Sequence, residues 1–538
     1  MDLLSQWLSY PASIDRILSI IGIEIHWFIL QYVLGLPLVI LLALLAYKRT
    51  GKTNYEKIAR TATKALGLIF AVGAASGTAS EFGLVVIWPN LLEAAGRYIY
   101  FPLYLEIFAF LTEIVFIYLL VFAWSKLSLN ARIAIAFLAL FGAWFSAAMI
   151  VSVNSYMVAP TGIAPAFDQQ KGWLYQQGYP KVLLVLPSQI ASALDVSKLL
   201  PLEVEVVGEV KEGVAVYVPS RIVARLAYEA WSGVTLRDSV LAGFLKPGIQ
   251  LPAEKILVKD LVDSILLATV EHVGYTSVTF LSPVYPGSIL HSIGAGITTT
   301  AFTILGAYAL LLLKKRSEYY ETGLRFGVIL SLIAIIVQGA IFGHVMGEEI
   351  AHYNPEKLAA MEGQSSSIMS IPRTFGIENL MKIIIYGRPD AQLPDYDLIP
   401  PGYCVLGGAP PISDCRPPLL IHYLYYVKTG LAVLLGLFAI VMFVLVYKNT
   451  KINTSLLVLA ALSPILAQLV SFLGWAVREI GRKPWSIYGV MTVDVAHTAN
   501  PASPSAYILV AFIFLAALSL LIYAAYRILY LPSLRGDQ

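Results

Sequence analysis

Glu106 and Glu113 stand seven residues apart inside one long apolar run, so a helix carries both on one face. Glu479 and Arg482 stand three apart at the end of another run, with Trp475 one turn before the glutamate. Glu24 and His26 lie inside the first apolar run, while His291 and His422 open two later ones. A charged group at the centre of a bilayer span costs at least ~3 kcal/mol, so each of these needs a partner or a task. The plain readings are a structural ion pair for Glu479–Arg482 and hydrogen-bonded packing or interfacial positions for the histidines. Against them, the chain has only 7 His, and three fall within apolar runs. Two carboxylates on one span face suit a proton relay. Imidazole in an apolar bundle suits axial ligation of haem iron. The sequence has no Cys-x-x-Cys-His site for covalent haem and no P-loop.

The elements that must position these residues are long apolar helices. The chain has 538 residues, 58% hydrophobic and 13% charged, about half the charge of a soluble domain. Runs of about 20 residues or more span ~30 Å of hydrocarbon. Nine are read: 17–47, 65–88, 100–124, 131–157, 289–313, 323–342, 419–447, 456–477 and 506–530. The expected fold is an all-α polytopic membrane protein, about nine transmembrane helices in a bundle, with a small α/β extracytoplasmic insert. No cleavable signal peptide is evident in Met1 to Arg16, so the first span directs insertion. Lys48, Arg49, Lys52, Lys57 and Arg60 follow the first span, Lys314, Lys315 and Arg316 the fifth, and Lys448 and Lys451 the seventh. The short link 90–99 offers only Arg97. The positive-inside rule then puts the N-terminus outside and the C-terminus, with Arg527 and Arg535, in the cytoplasm of a cell-membrane protein. A net charge of +3 without a basic aromatic stripe gives no support to nucleic acid binding.

The domain reading is residues 1–159 for helices one to four, 160–287 for the insert, 288–343 for helices five and six, 344–418 for an outer loop, and 419–538 for helices seven to nine. Within the insert, Val182–Leu186 and Val204–Val218 read as strands, and Arg221–Trp231 and Ala253–Thr269 as helices. The outer loop is polar, rich in Pro and Gly, and starts as helix. It holds the only two cysteines, Cys404 and Cys415, whose pairing on the oxidising side is an expectation.

Four motifs in order resemble subunit I of the cytochrome bd-type quinol oxidases. They are Gly77-Thr78-Ala79-Ser80-Glu81-Phe82 with Trp88; Phe101-Pro102-Leu103-Tyr104-Leu105-Glu106 with Glu113; Gly343-His344 with Asn354-Pro355-Glu356-Lys357-Leu358-Ala359-Ala360-Met361-Glu362-Gly363; and Trp475 and Glu479 with Gly481-Arg482-Lys483-Pro484-Trp485. The resemblance covers nearly all spans and the outer loop, and leaves out the insert. It implies His26 and Glu479 as ligands of the two high-spin haems at the oxygen site, with Arg482 and Trp475 beside Glu479. It implies His291 as a ligand of the low-spin haem b that takes electrons from quinol. Lys357 and Glu362 become the quinol-binding pair. Glu106, Glu113, Ser146 and Asn154 become members of a proton path. The implied cofactors are two haem b and one haem d, or a third haem b. The implied partners are quinol, O2, and a smaller subunit II or a paralogous large subunit.

Besides a Glu106-to-Glu113 spacing one residue shorter than the family's, the sequence departs from that pattern in two places. Lys428-Thr429-Gly430 stands where an Arg-x-Met supplies the second low-spin ligand, and Gly430 cannot ligate. His422 or Met442 takes its place, or the haem is five-coordinate. Glu24 is the other departure, and snorkelling toward Arg16 is its expected resolution. Two alternatives therefore stand beside the catalytic subunit: a ligand-depleted paralogous partner, and a transporter using Glu106/Glu113 and Glu479/Arg482. No inverted repeat supports the transporter.

Overall fold

The computed structural model describes residues 14–160, 181–186, 188–195, 205–210, 213–219, 229, 233–249, 251–258, 260, 278–363, 370–398, 416–488, 491–498 and 504–525. Four long helices come first: α1 Ile14–Thr50, α2 Thr53–Ile87, α3 Pro89–Ala123 and α4 Leu129–Val158. Gly51, at φ 68°, takes the left-handed conformation that turns the chain from α1 into α2. Pro89 opens α3 directly after Trp88, so the link expected at 90–99 is helix. Pro has no N–H to lose in a first turn.

Strands β1 Lys181–Leu186, β2 Glu205–Val210 and β3 Gly213–Pro219 form an antiparallel sheet in the order β1-β3-β2. The run expected as one strand over 204–218 is thus two paired strands. Residues 253–257, expected as helix, form turns and a bridge from Leu257 to Thr235. Val258 and Asp260 are helical, as is Glu229 in the run expected as helix over 221–231. The remaining residues of both runs lie outside the described residues, as do Cys404 and Cys415.

The second half opens with α5 Tyr285–Lys314 and α6 Glu318–Ile336. A π-turn at Val337–Phe342 leads α6 into α7 Gly343–Tyr353 without a break, so the sixth helix extends past its expected end. Then come α8 Pro355–Glu362, α9 Glu378–Tyr386, α10 Leu420–Tyr447 and α11 Thr454–Ile480. A hairpin of β4 Trp485–Ile487 and β5 Met491–Thr492 precedes α12 Pro504–Ala525. Among the described residues, 8 helices are long and apolar enough to cross a membrane, and α12 adds a largely apolar helix of 22 residues.

Helices α1–α4 pack on one another, as do α5, α6, α10 and α11, and α5 packs on α1 to join the two groups. Lipid supplies no hydrophobic drive between spans, so close packing of small residues does the joining. A Cβ on Gly35 would lie 2.2 Å from Thr300 Oγ1, and one on Gly306 would lie 2.4 Å from Pro464 Cγ. Those two glycines let α5 touch α1 and α11.

Candidate functional site

The C-terminal end of α11 carries a dense polar cluster. Arg482 Nη2 donates to Glu479 Oε2 at 2.6 Å, and Asn154 Nδ2, from α4, donates to Glu479 Oε1 at 3.2 Å. Arg478 Nε donates to Asn154 Oδ1 at 2.6 Å, and Arg478 Nη2 donates to Ser288 Oγ at 3.2 Å. Trp475 stacks on Trp27 of α1, ring centroids 5.2 Å apart, and the Arg478 guanidinium lies 5.8 Å from the Trp475 ring. The sequence-derived residues Asn154, Trp475, Glu479 and Arg482 therefore meet in one place. Arg478 was not among them.

Around this carboxylate, Arg482 Nε and Nη1 and Trp485 Nε1 are buried with no hydrogen-bond partner among the described residues. Buried donors without partners are costly unless a bound acceptor meets them. A haem offers that: iron for Glu479 and anionic propionates for the arginine donors. The residues present fit the group.

His26 and His291 are prepared in a similar way. His26 Nδ1 lies 3.0 Å from Ser76 Oγ, which leaves Nε2 for iron. A Cβ on Gly77 would come within 3.0 Å of the His26 ring, so glycine at that motif position makes room for the imidazole. His291 Nδ1 lies 3.2 Å from Gln338 Nε2, which also donates to His291 O at 3.0 Å. Gln338 sits in the π-turn, a local widening that aims it at α5.

About two turns earlier on α4, Ser146 Oγ donates to Glu106 Oε1 at 2.9 Å. Glu113 is 4% exposed, against Gly142, where an added Cβ would meet Glu113 Cγ at 3.1 Å. The two glutamates thus face α4, as their seven-residue spacing requires.

Lys357 and Glu362 are both buried on α8 but point apart. Glu362 Oε2 accepts from Tyr426 Oη at 2.9 Å, and its Oε1 is buried without a partner among the described residues. Burial pushes its carboxyl up to about 7; the Tyr426 bond opposes this and Glu378 adds to it. Lys357 instead lies against Gly481, where an added Cβ would be 2.7 Å from Lys357 Cε. Burial, then the Arg478 charge, lower its amine to about 7. Glu356 accepts a hydrogen bond from Tyr488 Oη, and burial raises its carboxyl to about 8. Sequence reasoning passed over this glutamate, although it sits inside the quoted motif.

His422 serves the same loop. Its Nδ1 donates to Met361 O at 2.7 Å and its Nε2 accepts from Ile371 N at 3.4 Å. Its ring also packs on Gly363, whose φ of 89° and 3.0 Å clearance from His422 both demand glycine. Both nitrogens are spent, so His422 is not placed to ligate iron. At 1.5 Å per residue, Met442 lies about 33 Å along α10, while His291 lies about 9 Å along α5. Met442 is fully buried in the hydrophobic core with Leu435 and Ala439. It stands too deep to share an iron with His291. No described residue comes within 4 Å of a Cβ added at Gly430. Glu24 also departs from expectation. Arg16 pairs with Asp494 at 2.8 Å, and Glu24 lines a groove of about 340 Å³ between α1 and α11 with Trp27, Tyr32 and Gln468.

The model of the cytochrome bd terminal oxidase subunit I family matches residues 14–190 and 266–534. The chain belongs to this family. It is therefore a multi-pass membrane protein of an oxidoreductase family whose members work in multi-subunit complexes. Residues 191–265 fall outside the match. A Bacillus subtilis (strain 168) protein, provisionally named a cytochrome bd menaquinol oxidase subunit I, is 24% identical over 492 residues, 87% of this chain and 85% of that one. Subunit 1 of the Escherichia coli (strain K12) cytochrome bd-II ubiquinol oxidase is 32% identical over 138 residues, 26% of this chain and 27% of that one. The bd oxidase structure from Geobacillus thermodenitrificans superposes with a TM-score of 0.64 at 20% identity, covering 98% of each chain, which shows the shared fold.

Proposed function

We propose that this chain is the haem-bearing subunit of a terminal respiratory oxidase that oxidises membrane quinol and reduces O2 to water. The observation that carries the reading is Glu479, held by Arg482 and Asn154 beside buried donors that have no partner among the described residues. Bound haems supply the electron transfer and oxygen chemistry. The chain holds them through His26 and Glu479 at the oxygen side and His291 at the electron-entry side. Arg482 pairs with Glu479, whose negative charge would offset part of the charge on ferric iron.

Quinol oxidation releases two protons with two electrons, so a base must stand at the quinol. Glu362 is that base, and Lys357, on the same helix but facing Gly481, seats α8. Above about pH 7 the Glu362 carboxyl is ionised and accepts a proton. Below that it is already protonated, so kcat/KM for quinol falls as pH drops. Tyr426→Phe removes the donor that favours the ionised form and moves this limb to higher pH, which a pH–rate profile measures. An unmoved limb would take Glu362 out of the proton step.

Glu106 and Glu113, with Ser146, carry protons from the cytoplasm toward the oxygen side. Glu106→Gln cannot exchange a proton and is expected to lower turnover about tenfold or more, with haem spectra intact. Unchanged turnover would move the path elsewhere. Residues 160–287 form an extracytoplasmic insert, the N-terminus lies outside, and the complex includes a subunit II or a paralogous large subunit.

The absence of a ligating side chain at Gly430 supports one competing reading, a ligand-depleted partner of a catalytic copy. A reduced-minus-oxidised spectrum of the purified chain tests both. Haem bands support the catalytic reading; their absence leaves the depleted one.

A further inference from the structure

Arg478 is 7% exposed and hydrogen-bonds to residues on two other helices. Guanidinium has only N–H donors, so the Asn154 face toward it must be the carbonyl oxygen. That fixes the amide and leaves Nδ2 to donate to Glu479 Oε1. Its other arm holds Ser288, buried in the first turn of α5 and three residues before His291, hence on the same helix face. The adjacent Gly287 N–H is held by Glu349 Oε1 at 2.7 Å, so this turn is clamped from both α7 and α11. Glu479 already has Arg482 as its ion-pair partner at 2.6 Å, so a second cation is not needed to neutralise it.

We propose that Arg478 is a positioning and charge-setting residue shared by the electron-entry and oxygen-side haems. It orients Glu479 through Asn154 and the helix turn leading to His291 through Ser288. Its buried positive charge favours the reduced state of both irons, since each reduced iron carries one positive charge less. This rests on the ligand assignments proposed above.

Spectroelectrochemistry of the membrane-extracted complex tests it, reading each haem's midpoint from its own band. Arg478→Gln is expected to shift both midpoints to lower potential, and Arg478→Lys, which keeps the charge, to shift both less. Asn154→Ala is expected to move the Glu479-side haem alone, and Ser288→Ala the His291-side haem alone. Both bands present in Arg478→Gln with only one midpoint moved, or neither, would overturn the proposal. If Arg478→Gln does not assemble, the alanine pair decides: one haem moved by each supports the shared role, and any other pattern refutes it. Glu479→Ala and His291→Ala keep the two failures apart. If these leave every haem band unchanged, the ligand assignment has failed rather than the role of Arg478.

Discussion

Glu479→Ala abolishes oxygen consumption, by a hundredfold or more, while the protein still inserts and keeps its low-spin haem band. Two effects combine. The substitution removes the proposed iron ligand, and it takes from the buried Arg482 its carboxylate partner. A buried pair broken on one side costs about 3–5 kcal/mol, so haem retention at that site falls as well. Glu479→Gln separates the effects, because it keeps the shape and loses the charge. It is expected to retain part of the haem with an altered band and little turnover. His26→Ala acts at the same oxygen side, and Gly77 leaves a ring-sized space there once the imidazole is gone. Oxygen-electrode rates with spectra of the same preparation check both variants. Near-normal respiration in either would refute its ligand role.

Glu362→Ala raises the quinol KM about tenfold or more and spares reduction by artificial donors that bypass the loop. Its carboxyl is the buried acceptor with one free oxygen, beside Tyr426, at the end of α8 away from Lys357. Losing one charge-assisted hydrogen bond to substrate is worth ~1.5–3 kcal/mol, which is about 10- to 160-fold in KM. Lys357→Ala has a similar expected size by a different route. Lys357 packs under Gly481, so its loss loosens the seat of α8 on the segment that follows Glu479. Steady-state kinetics with a soluble quinol, alongside dithionite reduction, check the pair. An unchanged KM in both would remove the quinol from this loop.

Much of this site is legible in the sequence because charges in apolar runs are few and costly. Glu106 and Glu113 meet Ser146 and Gly142 because seven residues return a helix to one face. Asn154 and Glu479 are 325 residues apart; the resemblance puts Asn154 on the proton path and Glu479 on haem iron, and only the fold joins them. Arg478 escaped notice beside Glu479, since adjacent helical residues face different directions and its partners lie on α4 and α5. Gln338 is uncharged, and a π-turn that aims it at His291 leaves no periodicity to read. Arg16 looked like the partner of Glu24 because they share a helix; the fold instead brings Asp494 to it from 478 residues away. The second low-spin ligand fails for a plainer reason. His422 belongs to the loop turn at Met361 and Gly363, and no side chain at Gly430 replaces it.

The most direct test is the haem content of the purified membrane complex, read as a reduced-minus-oxidised visible spectrum with quinol as the reductant. The account predicts a low-spin haem b band that appears on quinol addition, with a high-spin signal that Glu479→Ala removes. Haem-free protein, or haem bands that quinol cannot reduce, would contradict it.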